Sequence, residues 1–274
     1  MAVKRSVDLP GRTLLARRPI SKRAEPFRSV HSHFWCDTED GVRLAGSVLG
    51  DAQTDVALVL AHGFMGYRSK PKARLLADAL ATRHRVFAFD LRGHGQSGGA
   101  CTGGAVEQLD VDAVVKHARR RGFARVVTIG WSLGGIAVIR HAATLEPPDG
   151  VVAISAPARW KSESKAVRRT SWLFTNRVGR ALARELLGTR IDLRSDMPEP
   201  PGAIVGKIAP APILIVHGAD DHFFGPSAAQ ELYEAAGEPK RLLMFERFGH
   251  AEDGFTSAFA ARLSAEIDAL LSGA

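Results

Sequence analysis

From about residue 31 onward, the hydrophobic positions of this chain alternate between runs that suit strands and spacings that suit helices. The stretches HSHFWCDTEDG and VRLAGSVLG predict an opening hairpin that turns around Glu39, Asp40 and Gly41. Continuous apolar runs such as DVALVLAHG follow, as expected of strands buried on both faces. Between them lie stretches with helical spacing, such as KPKARLLADALATR. The pattern predicts an α/β fold: a mostly parallel, eight-stranded sheet with helices on both faces.

The alternation is interrupted once, between the sixth predicted strand, DGVVAISAP, and the seventh, APILIVHGADD. The intervening residues are rich in arginine, helical only in parts, and close with MPEPPGAIVGK. We therefore expect a helical lid over residues 156–209, inserted into a core of residues 31–155 and 210–274. Residues 1–30 are predicted to form a separate basic arm.

The net charge of +8 is concentrated in two places. Residues 1–34 hold eight Lys/Arg and two Asp/Glu, and residues 156–208 hold eleven Lys/Arg and five Asp/Glu. No aromatic-interleaved basic motif accompanies them, so we expect solvated basic faces and no nucleic-acid partner. The alternative is attraction to an anionic substrate, or contact of the basic arm with a membrane surface.

Targeting signals and the number of cysteines limit the cellular compartments in which the protein is expected. No apolar run approaches the ~18 residues that cross a bilayer, and the basic N-terminus lacks the apolar core of a secretory signal. We expect a cytoplasmic protein, with a mitochondrial transit peptide as the alternative. The two cysteines, Cys36 and Cys101, are too few for a disulfide framework, and we interpret both as structural.

The stretch VVTIGWSLGG contains the candidate nucleophile, Ser132, at the junction of a predicted strand and a predicted helix. A serine on so sharp a turn projects its hydroxyl above the sheet, and side chains two residues to either side would collide, so Gly130 and Gly134 are needed. The helix that begins at Leu133 directs its free N–H groups to the same place. The alternative is a tight turn whose serine only caps the helix.

A serine alcohol needs a base, and a histidine held by a carboxylate is the usual one. Four histidines follow the serine, and three of them are less suitable: His141 lies within the next helix, His217 within a strand, and His222 beside the candidate acid. His250 lies in FERFGHAEDGF, where the last strand ends and the last helix begins. We predict His250 as the base.

The acid is expected in the loop after the preceding strand. The stretch ILIVHGADDHFFGP offers two neighbours, Asp221 and Asp220. The Gly-x-x-Asp spacing counted from Gly218 favours Asp221, with Asp220 as the runner-up. The alternative for either aspartate is a role in forming the turn only.

A developing oxyanion would need two backbone donors. We predict the N–H groups of Leu133 and of Phe64, the latter in LAHGFMGYRSK after the third strand. His62 in this loop has no His or Asp partner at zinc spacing, so we expect no metal and no cofactor.

Taken together, these motifs resemble the α/β-hydrolase fold family. HGFMG, FDLRGHGQSGG, GWSLGG, HGADDHF and FGHAEDGF stand in the family's order and span roughly Val56 to Ala274. Within the family, the chain is most similar to lid-bearing serine hydrolases such as monoacylglycerol lipases, esterases and serine-aminopeptidase-like proteins. The resemblance implies that Asp90, Arg92 and Ser97 hold loop structure.

These residues predict acyl transfer from a small-molecule ester or thioester to water, through an acyl-enzyme on Ser132. An acyltransferase on the same three residues and a non-catalytic binding protein are the two alternatives. The lid is expected to contribute an acyl pocket. Its candidate residues are Trp160, Trp172, Leu173 and Phe174, which would otherwise form the packing of the lid itself.

Overall fold

The computed structural model describes residues 27–160, 164–165, 167–168, 171, 175–192 and 197–272. Its centre is an eight-stranded sheet with the strand order β1-β2-β4-β3-β5-β6-β7-β8. In chain order the strands are β1 (His31–Asp37), β2 (Arg43–Leu49), β3 (Val56–Ala61), β4 (Arg85–Phe89), β5 (Arg125–Trp131), β6 (Gly150–Ile154), β7 (Ile213–Gly218) and β8 (Lys240–Phe245).

The sheet is parallel from β3 onward, and β2 pairs antiparallel with both β1 and β4. The predicted opening hairpin is thus confirmed, with His31 opposite Leu49 and Asp37 opposite Arg43. Strands β3, β5, β6 and β7 are buried along almost their whole length because helices cover both faces. This burial explains their continuous apolar sequences.

Among the described residues, seven α-helices accompany the sheet. They are α1 (Pro71–Leu80), α2 (Gln108–Arg120), α3 (Leu133–Thr144), α4 (Arg177–Leu187), α5 (Pro201–Ile204), α6 (Pro226–Ala235) and α7 (Ser257–Ser272). Two short 3₁₀ helices, Val205–Ile208 and Ala251–Gly254, complete the set.

Two apolar cores lie on opposite faces of the sheet. In one core, side chains of α2 and α3, such as Val114 and Ile139, pack against the strand residues on one face of the sheet. The other packs α1 and α7 side chains, such as Leu76 and Ile267, against the opposite face. The alternation of strand and helix along the chain predicted this three-layer arrangement, and the structure confirms it.

The segment between β6 and β7 is more closely tied to the core than the sequence indicated. Ile204, Val205 and Ile208 are buried in the same core as α3, so residues 201–208 belong to the packed domain. Arg190 also bonds the 93–101 loop, where its N–H donates to the carbonyl of Gly93. That the rest of residues 156–209 forms a lid over the site stays a prediction.

The N-terminal boundary also differs from the expected one. Phe27 is buried against the α1 side of the sheet, and the N–H groups of Arg28 and Ser29 donate to Asp78 on α1. Residues 27–29 therefore contact the core, while residues 1–26 of the predicted arm lie outside the described residues. No helix in the described part of the chain is long and apolar enough to cross a membrane.

Candidate active site

Ser132 occupies a strained turn between β5 and α3. Its backbone has φ 53° and ψ −115°, a conformation that residues other than glycine rarely adopt. The turn is tight enough that an added Cβ at Gly130 would lie 2.1 Å from the carbonyl oxygen of Gly134. A Cβ at Gly134 would lie 2.0 Å from the carbonyl oxygen of Ala61. Both glycines are therefore needed for the strand to reverse directly into the helix.

The Ser132 hydroxyl does not cap α3. Its side chain makes no capping hydrogen bond, although Ser132 is the residue at the N-cap position. This contradicts the alternative in which the serine only serves the helix. The first N–H groups of α3, starting with Leu133, have no partner within the helix and carry its positive dipole end. The turn therefore presents a hydroxyl beside partial positive charge.

His250 and Asp221 form a close pair on two neighbouring loops. Nδ1 of His250 lies 2.8 Å from Oδ2 of Asp221, which follows β7, while His250 follows β8. The other carboxylate oxygen accepts the N–H groups of Phe223 and Phe224 at 2.8 and 3.0 Å. These bonds orient the carboxylate, and the carboxylate in turn orients the imidazole, leaving Nε2 of His250 available for other contacts.

The charge state of Asp221 follows from the same contacts. Burial by itself raises the pKa of this carboxyl, but hydrogen bonding to His250, the charge of His250 and the two backbone N–H groups lower it below its ordinary value. Asp221 is therefore ionised at neutral pH and suited to stabilise an imidazolium.

The other candidates for acid and base have different contacts, although Nε2 of His217 also lies 3.5 Å from Oδ2 of Asp221 and His222 lines the same cleft as His250. Asp220 is exposed, and its backbone N–H donates to the carbonyl of Phe248. His217 is fully buried and bonds the carbonyl oxygen of Phe224 at 2.8 Å. His141 is buried in α3 beside Asp112, and His222 is exposed.

The loop that carries His250 has a support that sequence reasoning missed. Ser155, at the end of β6, accepts the N–H of Ala251 through its hydroxyl at 3.0 Å. Ser155 and Ala251 both have positive φ, 49° and 47°. The backbone N–H of His250 donates to the Asp253 carboxylate at 3.1 Å. The only sequence signal for these supporting roles of Ser155 and Asp253 is that each polar residue lies in a loop that follows a strand.

The loop after β3, which contains Phe64, is held by two buried histidines. Nε2 of His62 accepts the N–H of Leu91 at 3.0 Å, and its Nδ1 lies 2.7 Å from the carbonyl oxygen of Gly63. Nε2 of His94 accepts the N–H of Met65 at 3.2 Å. His94 lies in the FDLRGHG stretch, and the sequence analysis assigned it no role. Its function here is to fix the backbone next to Phe64.

Both histidines are neutral in the folded protein. Burial lowers the pKa of His62 to about 4, helped by the charges of Lys70 and Arg68. Burial, together with the adjacent His62, lowers the pKa of His94 to about 3. A neutral ring offers one donor and one acceptor, which is the combination that their bonds use.

The loop after β4 is structural, as the resemblance implied. Asp90 accepts the N–H of Arg68 at 2.7 Å and forms an ion pair with its guanidinium. Ser97 donates to the carbonyl of Asp90 and accepts the N–H of Ala45. Arg92 bonds Asp110 and Asp40. These contacts are internal to the loop and its neighbours.

Ser132 and His250 line one cleft of about 200 Å³. Gly63 and Phe64 line it from the β3 loop, so the structure brings the predicted nucleophile, base and oxyanion loop to the same space. The cleft also exposes charged side chains that sequence reasoning did not select. Its remaining described lining is Lys70, Trp131, His222, Phe223, Ala251, Glu252 and Asp253.

The predicted acyl-pocket residues are not at this cleft as far as the structure describes them. Trp160 is half-buried, packs against the core, and donates its indole N–H to the carbonyl of Pro198. It is absent from the described lining of the cleft. These contacts match the packing alternative for Trp160. Trp172, Leu173 and Phe174 lie outside the described residues.

Within the residues that the structure describes, neither the cysteines nor the metal-binding residue types form a second site. Cys36 and Cys101 are buried free thiols, and burial raises the pKa of Cys36 to about 12 and that of Cys101 well above its ordinary value. Over the described part of the chain, no group of three or more His, Cys, Asp or Glu side chains is arranged to hold a metal ion.

Comparison with known proteins identifies the family. A sequence profile described as "Alpha/beta hydrolase family" matches residues 58–263. The uncharacterized protein YfhR of Escherichia coli K12 is 27% identical over 222 residues, which is 78% of this chain and 71% of YfhR. A pimeloyl-[acyl-carrier protein] methyl ester esterase of Xylella fastidiosa is 32% identical over 116 residues, covering 42% of this chain and 40% of that enzyme.

Solved structures share the fold. The Pyrococcus furiosus esterase Pf2001 superposes with a TM-score of 0.69 at 21% identity, over 89% of this chain and 92% of that one. The α/β hydrolase GrgF from Penicillium superposes with a TM-score of 0.69 at 18% identity, over 88% and 98%. With a sheet of this topology and a family profile that spans most of its length, the chain belongs to the α/β-hydrolase family.

Proposed function

We propose that this protein is a serine hydrolase that cleaves carboxylic ester or thioester bonds. The observation that carries the proposal is the shared cleft: Ser132 on a strained turn faces the same space as His250, whose Nδ1 is held 2.8 Å from Asp221. The esterase names of the Pyrococcus and Xylella proteins support the same class of reaction.

The proposed mechanism has two acyl-transfer steps. Nε2 of His250 accepts the Ser132 proton as the oxygen attacks the substrate carbonyl carbon, and the N–H groups of Leu133 and Phe64 stabilise the resulting oxyanion. The imidazolium, stabilised by Asp221, protonates the leaving alcohol or thiol, which departs and leaves an acyl-enzyme. Water then attacks that ester by the same route, which releases the acid and restores the serine.

The charges around the cleft favour a substrate that is uncharged near the scissile bond. The described lining holds Lys70, Glu252 and Asp253, and Lys70 is paired with Glu252 at 2.8 Å. Among the described lining residues, no unpaired lysine or arginine therefore faces an anionic group beside Ser132. Attraction of an anionic substrate by the arginines of residues 156–209 stays a prediction, as does an acyl pocket built from that segment.

The test compares wild type and Ser132→Ala on p-nitrophenyl esters of increasing acyl length. We expect the variant to lose at least about 1,000-fold in kcat, because no other group replaces the nucleophile. Circular dichroism and the urea midpoint serve as folding controls. Product analysis with added alcohols tests the acyltransferase alternative.

A wild type that turns over no ester is examined next with a fluorophosphonate probe. Covalent labelling of Ser132, absent in Ser132→Ala, supports an activated serine with a narrower substrate range. A folded wild type that neither turns over esters nor becomes labelled contradicts the proposal and favours the non-catalytic alternative.

A further inference from the structure

One carboxylate connects the three loops that form the cleft. Oε1 of Glu252 accepts the indole N–H of Trp131 at 3.2 Å, and its Oε2 lies 2.8 Å from Nζ of Lys70. Trp131 directly precedes Ser132, and Glu252 lies two residues after His250. Lys70 ends the loop that contains Phe64. These two contacts of Glu252 therefore join the nucleophile turn, the histidine loop and the oxyanion loop.

Burial indicates that the hydrogen bond to Trp131 is the well-defined part of this arrangement. Trp131 is 2% exposed, and its ring packs edge-on against Phe255 with centroids 5.3 Å apart. The indole has a single donor, and Glu252 satisfies it. The Glu252 side chain is 17% exposed and that of Lys70 is 38% exposed, so water screens the ion pair and limits its effect on stability.

We propose that Glu252 is a positioning residue for the reaction at Ser132. It acts through Trp131 on the nucleophile turn and through Lys70 on the oxyanion loop, and not by direct contact with the reacting atoms. The inference rests on the proposed function. It goes beyond it because the three reacting residues do not require a carboxylate at this position.

The expected effect is on kcat. Displacement of a reacting group by about 1 Å costs on the order of 100-fold in rate, while binding of the substrate depends on other contacts. Glu252→Gln keeps an oxygen acceptor for the Trp131 indole and loses the charge that pairs with Lys70, and we expect a fall of about 10-fold. Glu252→Ala loses both contacts, and we expect a fall of about 100-fold with KM changed less than about threefold.

Variants of the two partners test whether Glu252 acts through them. Trp131→Phe removes the indole donor and keeps an aromatic ring, and Lys70→Met removes the ammonium and keeps the length of the side chain. If each contact transmits the effect, Glu252→Gln combined with Lys70→Met is no slower than the slower of the two single variants. Fully additive losses in rate contradict the proposed coupling.

Glu266 provides a matched control on α7. Its side chain is 6% exposed and forms ion pairs with Arg241 at 3.0 Å and Arg262 at 2.6 Å. It is not among the described residues that line the cleft. Glu266→Gln therefore breaks a comparable or more buried ion pair, and we expect a lower urea midpoint with kcat within about twofold of wild type.

The measurement is kcat and KM on the best ester, together with the second-order rate of fluorophosphonate labelling of Ser132. The labelling rate needs no knowledge of the natural substrate. A kcat loss and slower labelling in the Glu252 variants, with Glu266→Gln close to wild type, support the proposal. A rise in KM alone overturns it, because that result assigns Lys70 and Glu252 to substrate contact.

Failure of this inference is distinct from failure of the proposed function. Wild type that is active or labelled, with Glu252→Ala equally active, overturns the positioning role and leaves the serine hydrolase intact. Wild type that is inert to both esters and probe overturns the proposed function and this inference with it.

Discussion

Two consecutive aspartates show how strongly one position along a loop changes a side chain's environment. Asp221 is buried, bonds His250, and accepts two backbone N–H groups, whereas Asp220 points to solvent. The difference arises because the loop after β7 turns back at Phe223 and Phe224. The backbone N–H groups of these two residues donate to Oδ1 of Asp221. Sequence spacing favoured Asp221 but retained both, since either residue type suits a turn.

This pair provides a matched test at the residue scale. We expect Asp221→Asn to lower kcat by about 1,000-fold or more, because the amide offers His250 a donor where it needs an acceptor and favours the wrong tautomer. Asp220→Asn is expected to leave kcat within about threefold. Steady-state ester kinetics on both variants decide the matter, and a loss confined to Asp220→Asn would reassign the acid.

At the scale of elements, the junction of β5 and α3 is the most tightly constrained part of the site. The strand and the helix approach so closely that Gly130 and Gly134 lie against backbone carbonyl oxygens. Backbone cannot yield as a flexible side chain does, so a Cβ is excluded at both glycine positions. The close packing at the two glycines thereby places the first N–H groups of α3 at the cleft, beside the Ser132 hydroxyl.

Gly130→Ala is expected to lower the free energy of unfolding by about 3 kcal/mol or more, since the new Cβ would lie 2.1 Å from the carbonyl oxygen of Gly134. Gly225→Ala is the control: its φ is −62°, and a Cβ there would meet nothing closer than Ser227 Oγ at 4.0 Å. We expect a change of no more than about 1 kcal/mol there. Urea unfolding measures both, and similar losses would refute the steric argument.

For the whole molecule, buried histidines make stability depend on pH. His62 and His94 have folded-state pKa values lowered to about 4 and about 3, so below their ordinary pKa of 6.5 the unfolded chain binds protons that the folded protein does not. Stability contributed by these rings is complete above pH 6.5 and is lost as the pH falls towards their folded-state pKa values. Asp110, whose pKa burial raises to about 7, opposes this trend.

We expect His94→Gln to flatten this dependence. Each such histidine adds up to about 1.4 kcal/mol per pH unit to the slope of unfolding free energy against pH. The variant should lose that amount of slope between pH 4 and 6.5, although it is less stable than wild type at pH 7.5. Urea unfolding at half-unit pH steps measures the slope, and an unchanged slope would show that His94 titrates normally in the folded protein.

Local patterns in the sequence were sufficient for the order of strands and helices and for the hairpin around Asp40, and they selected Ser132 and His250 as candidates. Each depends on a feature confined to a few neighbours: apolar runs that suit buried strands, glycines that permit a sharp turn, a histidine between a strand and a helix. The structure brings Ser132 and His250 to one cleft because both follow the carboxyl ends of parallel strands.

Only the tertiary structure decided which aspartate meets His250, that Ile204 to Ile208 join the core, and that Trp160 bonds Pro198 away from the described cleft lining. It also revealed His94 beside Met65 and the contacts of Glu252 with Trp131 and Lys70. Lys70 and Glu252 are 182 residues apart in the chain. No local pattern encodes a contact of that kind, because loops meet only after the sheet has brought the ends of its strands together.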